Sequence, residues 1–338
     1  MKKWMLMAGL LVLVMGCRNK TPQTSCVYGN DIAEATQDEI MQAGGRLIQE
    51  WENSEYPALY QDASQMLKRR QTREQFATLL RAADVSFGAK EFSRLEELYW
   101  MTSKAREEEA VIPCNLGAQG VQDLHMVPAN HEVAALVYKS HGADETLRVV
   151  IHLLKEEGNW KLLSLAINAS TAKGREAESY FKAARKSREK NLLHLAALQY
   201  RMAILLSELG PGVQEFTVSQ IATEMQQIKA DYLPQGSVQI WTMPSGHSYN
   251  VSNLSVISAN NKIWVDVAYQ AKSFTDTAGL EADGKELAKF LDQKFPEYRE
   301  DFDGIVASAI GTTPADAYKL YRVIVPFDQL SPPSAAKP

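Results

Sequence analysis

The sequence predicts an α+β fold, because its hydrophobic period changes repeatedly along the 338 residues. Apolar residues recur with helical spacing through residues 31–87, and they alternate with strand spacing from 91 to 170. Helical spacing returns at residues 174–232, and strand spacing returns at 238–271. Runs of helices followed by runs of strands are typical of helices segregated to one side of antiparallel sheets.

The most distinct element is a long β-hairpin over residues 144–170. Two apolar runs flank residues 156–159, where Gly158 and Asn159 tolerate the positive φ of a tight turn. Side chains alternate between the two faces of a strand. The first strand therefore has one face with Val149, Ile151 and Leu153 and another with Val150, His152 and Leu154. Trp160 opens the return strand.

The N-terminus resembles the signal sequence of a bacterial lipoprotein. Lys2 and Lys3 precede a short apolar run, residues 5–16, which ends Leu-Val-Met-Gly directly before Cys17. The resemblance implies that residues 1–16 are a signal peptide that is cleaved off and that Cys17 carries lipid, with residues 17–30 as a flexible tether. An ordinary signal peptide, or a short anchor with an incidental cysteine, is the alternative interpretation.

Lipidation would place the mature chain in the cell envelope, facing the periplasm. Stable anchoring takes more than one acyl chain, at about 0.8 kcal/mol per buried methylene, and the resemblance implies two or three. An aspartate after the lipidated cysteine favours retention at the inner membrane in such proteins. Arg18 stands there instead, so the outer membrane is favoured.

Residues 31–171 predict a first α+β domain. Helices are expected near residues 31–52, 57–68 and 72–88, the last with a capping box at Thr72 and Gln75. Strands are expected at 92–101, 110–114 and 133–139, ahead of the hairpin. This order, with the hairpin sequence Glu-Gly-Asn-Trp-Lys-Leu at 157–162, resembles the NTF2-like cone fold. That resemblance implies a bent sheet that wraps around the first helix and leaves a pocket.

The remaining chain predicts a helical connector at 172–232, a small α+β domain at 233–330 and a disordered tail at 331–338. Two connector helices match one tetratricopeptide unit at Tyr180, Ala184, Ala196, Tyr200 and Ala203. A plain connector is the simpler interpretation, because no second copy follows. In the last domain we expect strands near 238–243, 249–257, 262–271 and 318–327, and helices near 283–295 and 297–310.

The sequence carries no motif for a metal, a cofactor or a nucleophile. Its six histidines include no HExxH and no pair at helical spacing, and His125 and His131 fall in a loop-rich stretch. His152 is the one pocket candidate, because NTF2-like enzymes place such residues on the pocket face for acid–base chemistry. A core histidine is the alternative. Ser245 and His247 are close in sequence, but residues on an extended chain do not pair by proximity alone.

Cys26 and Cys114 are the cysteines that remain once Cys17 is lipidated. Two residual cysteines in an oxidising envelope often pair, and closing so long a loop would contribute roughly 4–5 kcal/mol to stability. Cys114 follows Pro113 in a predicted strand, so burial as a small hydrophobic residue is the alternative.

The charge distribution argues against nucleic acid as a partner, since the formal net charge is −5. A basic stretch on the first connector helix, residues 175–190, is either a solvated face or a surface for anionic lipid or an acidic partner. Residues 281–303 lean acidic. Whether the two segments face each other is open at this point.

These observations predict a membrane-anchored cell-envelope lipoprotein that acts as a non-enzymatic ligand- or protein-binding module. Its partners would be the membrane, through the N-terminal lipid, and an envelope protein or a small apolar ligand. No cofactor is expected. Two alternatives stay open: a hydrolase or isomerase that uses an NTF2-like pocket, and a structural accessory of an envelope assembly.

Overall fold

The computed structural model describes residues 24–87, 91–104, 109–115, 122–141, 146–208, 213–214, 216–234, 236–259, 261–271, 273–312, 316 and 319–330. Cys17, the predicted signal peptide, the start of the predicted tether and the predicted tail at 331–338 lie outside these residues. The described chain combines helices with mainly antiparallel sheets, which confirms the α+β class. Among its helices, none is both long and apolar enough to cross a membrane.

The first half begins with a short strand and four helices: β1 (Thr24–Tyr28), α1 (Glu34–Glu52), α2 (Tyr56–Gln61), α3 (Gln65–Arg70) and α4 (Arg73–Phe87). Six strands follow: β2 (Glu91–Ser103), β3 (Glu109–Asn115), β4 (Gln122–Pro128), β5 (Glu132–His141), β6 (Thr146–Glu156) and β7 (Asn159–Ala169). Ahead of α4, the Thr72 backbone N–H donates to Gln75 Oε1 at 2.9 Å and the Gln75 N–H donates to Thr72 Oγ1 at 3.3 Å. The predicted capping box is therefore confirmed.

Five of these strands form one sheet in the order β1-β2-β5-β6-β7, and β3 and β4 form a separate hairpin. The predicted hairpin is β6 and β7, with positive φ at Glu157 and Gly158, so its turn lies one residue earlier than expected. Both faces of β6 are buried. Val149, Ile151 and Leu153 pack in the cluster that contains α1, while Val150 and Leu154 pack in the cluster under the β3–β4 hairpin.

The second half starts with β8 (Thr171–Ala172), β9 (Arg175–Glu176), α5 (Ala177–Glu189), α6 (Leu193–Ser207), β10 (Val213–Gln214) and α7 (Phe216–Gln226). It continues with β11 (Gln239–Thr242), β12 (Ser248–Ala259), β13 (Lys262–Gln270), α8 (Thr277–Lys294), β14 (Gly304–Ile310) and β15 (Leu320–Pro326). The last five strands form one sheet in chain order, in which β13 and β14 are parallel and α8 is the crossover. One hydrophobic cluster, from Ala172 to Phe327, unites α5 and α6 with this sheet.

Four predicted segments are wrong. The helix expected at 57–68 is interrupted at residues 62–64 and forms α2 and α3. The tether was expected to run to residue 30, but Thr24–Tyr28 pairs with β2 as an edge strand. The stretch that contains His125 was expected as a loop and is β4. A helix was expected at 297–310, where the structure has a short 3₁₀ turn, Pro296–Glu300, and then β14. A strand buried on both faces loses its alternation, so its period cannot distinguish it from a buried helix.

The two halves meet where β10 joins the hairpin. Val213 pairs with His125 and Gln214 with Leu124, so β10 extends the hairpin to three strands. Nearby, Asn168 Nδ2 donates to the Glu208 carbonyl at 2.8 Å. The boundaries proposed at residues 172 and 233 stay predictions, as do the cone and tetratricopeptide resemblances.

The basic and acidic segments do face each other at one point. Arg175 Nη1 lies 2.5 Å from Asp301 Oδ1. Just before the basic stretch, Lys173 Nζ lies 3.0 Å from Asp303 Oδ2. Further along the basic stretch, Arg185 pairs with Glu224 of α7. The carboxylates in these ion pairs neutralise part of the positive charge with which the stretch would bind anionic lipid. The ion pairs therefore favour a structural role for it.

Candidate functional site

The outer face of the five-stranded sheet, opposite α1, carries a row of four residues on adjacent strands. Tyr99 pairs with Ala135, Ala135 with His152, and His152 with Ser164. Adjacent strands lie about 4.8 Å apart. Tyr99 and His152 therefore stand on either side of Ala135, whose single methyl group leaves space between the two larger side chains.

The β3–β4 hairpin covers this row. Its inward side chains are buried, namely Ala110, Ile112, Cys114, Asp123, His125 and Val127. Its outward side chains include the cross-strand pair Val111 and Met126, which are 60% and 53% exposed. A disulfide between Cys26 of β1 and Cys114 of β3 joins the hairpin to the sheet, with 5.4 Å between the Cα atoms.

A cavity of about 200 Å³ remains between the hairpin and the sheet. Its walls include Met66, Met101, Val133, His125, His152 and Ser164. Arg70 and Glu109 also line it, and because both side chains are more than half exposed they mark its opening. These two side chains lie 3.9 Å apart, so their opposite charges offset each other at the entrance.

His125 is the unusual group in this cavity. Its side chain is only 2% exposed, and neither ring nitrogen has a hydrogen-bond partner among the described residues. Its ring centroid lies 4.8 Å from that of Tyr99, with 47° between the ring planes. A buried polar group without a partner costs about 1–3 kcal/mol. The His125 ring thus has one hydrogen-bond donor and one acceptor that no described residue of the chain contacts.

His152 lines the same cavity and has one partner, since its Nδ1 lies 2.9 Å from Ser164 Oγ. Burial lowers the pKa of His152 to about 4. Burial, reinforced by the charge of His152, lowers the pKa of His125 to about 4 as well. Both imidazoles are therefore neutral near pH 7, and each offers one N–H donor and one nitrogen lone pair.

A β-bulge shapes the wall beside His152. The β6–β7 register shifts directly after the His152–Ser164 pair, because Leu153 pairs with Leu162 and skips Leu163. Leu163 consequently turns toward the cavity, where it forms part of the lining. Bulges commonly aim a side chain next to a site in this way.

The sequence identified one of the three polar residues that meet here. His152 was its pocket candidate, His125 was placed in a loop, and Ser164 was not considered. In β4 the usual pattern is inverted, because polar Asp123 and His125 point inward while apolar Met126 is exposed. Hydrophobic periodicity therefore carried no signal for His125.

A second cleft, of about 550 Å³, lies in the C-terminal half beside Tyr249, Tyr269 and Asp283. Near it, Ser245 Oγ donates to Glu286, and His247 Nδ1 lies 3.0 Å from Glu286 Oε2. Tyr249 donates to the same carboxylate at 2.6 Å. Burial raises the pKa of Glu286, but these hydrogen bonds outweigh it and hold the pKa below its usual value. Because Ser245 bonds to the carboxylate, this cluster joins a turn to α8 and does not present a serine activated by histidine.

No group of three His, Cys, Asp or Glu side chains that could hold a metal ion exists within the described residues. Comparison of the chain with protein-family models, curated proteins and solved structures finds no match. The argument for function therefore rests on the geometry of the cavity that His125 and His152 share, which we call the hairpin cavity.

Proposed function

We propose that this chain is a lipid-anchored, non-enzymatic binding module of the bacterial cell envelope, and that its ligand occupies the hairpin cavity. The observation that carries the proposal is His125, which is buried with both ring nitrogens unused among the described residues. A folded protein gains from keeping such a group when a ligand satisfies it. The apolar walls around it suit the body of a small molecule or a soft ion.

The anchoring part of the proposal is supported by the resemblance of the N-terminus to a lipoprotein signal. The chain between Cys17 and Thr24 can reach at most roughly 25 Å. The disulfide from Cys26 then connects this end of the chain to the hairpin that covers the cavity. In a lipidated protein the cavity would thus lie close to the membrane surface.

Recovery of the natural ligand tests the binding part. The full chain is purified from envelope membranes in detergent, and its extract is examined by mass spectrometry for organic molecules and by elemental analysis for metals. We expect about one ligand per chain in the wild type, none in His125→Phe, and the wild-type amount in His131→Phe. His131 is a suitable control because it is partly exposed and its Nδ1 already lies 2.6 Å from the Ala129 carbonyl. An empty wild-type protein would count against the proposal.

Substitution of Cys17 tests the anchor separately. Cys17→Ser should leave an uncleaved precursor or a chain without lipid, visible as a mass difference and as loss from the membrane fraction. The cavity should be unaffected, because it is built from residue 26 onward. Normal processing and membrane fractionation of Cys17→Ser would contradict lipid anchoring while leaving the binding site untouched.

One observation favours the enzyme alternative: the 2.9 Å contact between Ser164 Oγ and His152 Nδ1 is the geometry of a nucleophile with its base. His152→Gln distinguishes the two functions, because Gln keeps polarity and approximate volume but not basicity. An enzyme should lose about 10²–10⁴-fold of its activity, measured as the cellular phenotype at equal protein abundance. In a binding module the phenotype of His152→Gln should follow the amount of ligand recovered with the variant, whereas an enzyme variant that keeps its ligand should still lose the phenotype.

A further inference from the structure

The hairpin cavity brings together side chains of two chemical kinds that a soft metal ion uses. His125 and His152 contribute imidazole nitrogens, and Met66 and Met101 contribute thioether sulfurs. Met101 is fully buried on β2, where it pairs across the sheet with Val133. Met66 lies on α3 and packs against the same cluster from the side.

We propose that the hairpin cavity is a binding site for monovalent copper, with His125, His152 and Met101 as its ligands. The inference rests on the function proposed above, since it names the ligand class of that same site. Thioether and imidazole donors together select Cu(I), whereas carboxylate and water suit harder ions.

The charge of the site also favours a monovalent ion. The three ligands are uncharged as donors, and the charged pair at the entrance, Arg70 and Glu109, is mutually compensating. Moving an ion out of water costs an energy that rises with the square of its charge, and in a buried site the cost reaches several kcal/mol even for a single charge. Carboxylate or thiolate ligands would offset the second charge of a divalent ion, but Glu109 is the one carboxylate in the lining and faces Arg70. Both Cys26 and Cys114 are held in the disulfide.

The hydrogen bond between His152 and Ser164 fits this role. A metal-bound imidazole usually donates its other N–H to a neighbouring oxygen, which fixes the ring orientation. With Nδ1 donating to Ser164 Oγ at 2.9 Å, Nε2 of His152 has the free lone pair. Ser164 is then a positioning residue, and the tilted ring contact with Tyr99 restricts the orientation of the His125 ring.

The absence of three convergent His, Cys, Asp or Glu residues in the described chain agrees with this donor set. Such a group would be needed for zinc, which takes four ligands of those types. Cu(I) is satisfied by fewer ligands, and methionine counts among them. The site should therefore discriminate strongly between the two ions.

Titration of the full mature chain in detergent tests the inference. Cu(I) is supplied anaerobically as its bicinchoninate complex, and its transfer to the protein is followed by the loss of that complex's colour. We expect about one Cu(I) per chain and no competition from equimolar Zn²⁺. His125→Phe, His152→Phe and Met101→Leu should each abolish transfer, and Ser164→Ala should weaken binding about 10–100-fold. The control Met41→Leu, on α1 at the opposite face of the sheet, should bind as the wild type does.

X-ray absorption at the copper edge provides a second readout that does not depend on affinity. We expect both nitrogen and sulfur scatterers in the wild type, and the loss of sulfur in Met101→Leu loaded at high copper. Equal binding of Zn²⁺, unchanged Cu(I) transfer in His125→Phe, or nitrogen and oxygen scatterers alone would overturn the inference. An organic molecule recovered from membranes, together with no Cu(I) transfer, would overturn copper while supporting the binding module; an empty protein would overturn both.

Discussion

His125 and Tyr99 belong to different sheets, yet their ring centroids lie 4.8 Å apart. Tyr99 stands in the row Tyr99–Ala135–His152 of the large sheet, and His125 reaches it from the hairpin. The contact holds the imidazole by its ring and leaves both nitrogens unused. An aromatic ring contact contributes roughly 0.5–1.5 kcal/mol beyond burial, so it offsets part of the cost of the unpaired nitrogens.

The first prediction separates the stabilising ring contact from the destabilising burial of the unpaired nitrogens in the ligand-free protein. His125→Phe keeps the ring contact with Tyr99 and removes the two unpaired nitrogens. We expect it to raise the free energy of unfolding by about 1–2 kcal/mol, because the desolvation cost of the imidazole disappears. Urea unfolding of the ligand-free chain measures this. His131→Phe, the partly exposed control, should gain nothing; a lower stability for His125→Phe would show that its nitrogens have partners in solution.

The second prediction concerns the pH dependence of stability through His194 of α6. Its Nδ1 lies 3.2 Å from Tyr298 Oη, its Nε2 lies 2.5 Å from the Asp231 carbonyl, and its ring stacks on Phe295. Burial lowers the pKa of His194 to about 4, with the charge of Lys294 acting in the same direction and the bond to Asp231 opposing it. This position lies far along the chain from the hairpin cavity, in the core of the second half.

The direction of the pH effect on stability follows from which state, folded or unfolded, binds the proton at the higher pH. The unfolded chain takes up the proton near its ordinary pKa of 6.5, whereas the folded chain resists until about pH 4. Stability is therefore complete above pH 6.5 and is lost as the pH falls toward 4. Between pH 7.5 and 4.5 the wild type should lose about 2.5 kcal/mol more than His194→Gln, as measured by urea unfolding. Equal losses in the two proteins would show that this imidazole is protonated in the folded state.

The sequence predicted best where one residue pattern had one structural meaning. The alternation in Val149 to Leu154 defined both faces of β6, because strands in this position bury each face against a different cluster. The capping box at Thr72 was equally readable, since it is purely local. Strand β14 could not be predicted from its pattern, because six of its seven residues are buried. Its partner β13 lies on the other side of α8 in the chain.

The candidate site was the least predictable part for the same reason. His152, Ser164 and His125 converge through the pairing of β6 with β7 and the folding of a separate hairpin over the sheet. The pairing of β6 with β7 is a hairpin that the sequence predicted, whereas the position of His125 depends on how the separate β3–β4 hairpin packs on the sheet. His125 points inward because of where β4 packs on the sheet. In this strand polar residues lie on the buried face and apolar Met126 on the exposed face, which is the reverse of the usual pattern.

The third prediction tests the packing of α1 on the sheet with two adjacent glycines. A Cβ on Gly44 would lie 2.6 Å from Leu136 Cδ2 and 3.1 Å from Tyr138 Oη. Leu136 is completely buried, so the core must shift, and Gly44→Ala should lower the free energy of unfolding by about 1–3 kcal/mol. At Gly45 the added Cβ meets no described atom within 4 Å beyond its own helix and neighbours. Gly45→Ala should therefore raise stability by about 0.5–1 kcal/mol; the same sign for both variants in urea unfolding would contradict this packing.

The last prediction concerns the disulfide between Cys26 and Cys114, which lie 88 positions apart. In the chain-entropy model a crosslink across so long a loop contributes roughly 4–5 kcal/mol by restricting the unfolded chain. The double variant Cys26→Ala, Cys114→Ala should lose about this amount of stability in urea unfolding. Because the bond also joins the hairpin to β1, amide exchange in β3 and β4 should accelerate more than in β6 and β7. The bond itself is checked by alkylation of the unfolded, unreduced chain: we expect no label on either cysteine without reductant and two labels with it, and labelling before reduction would rule the disulfide out.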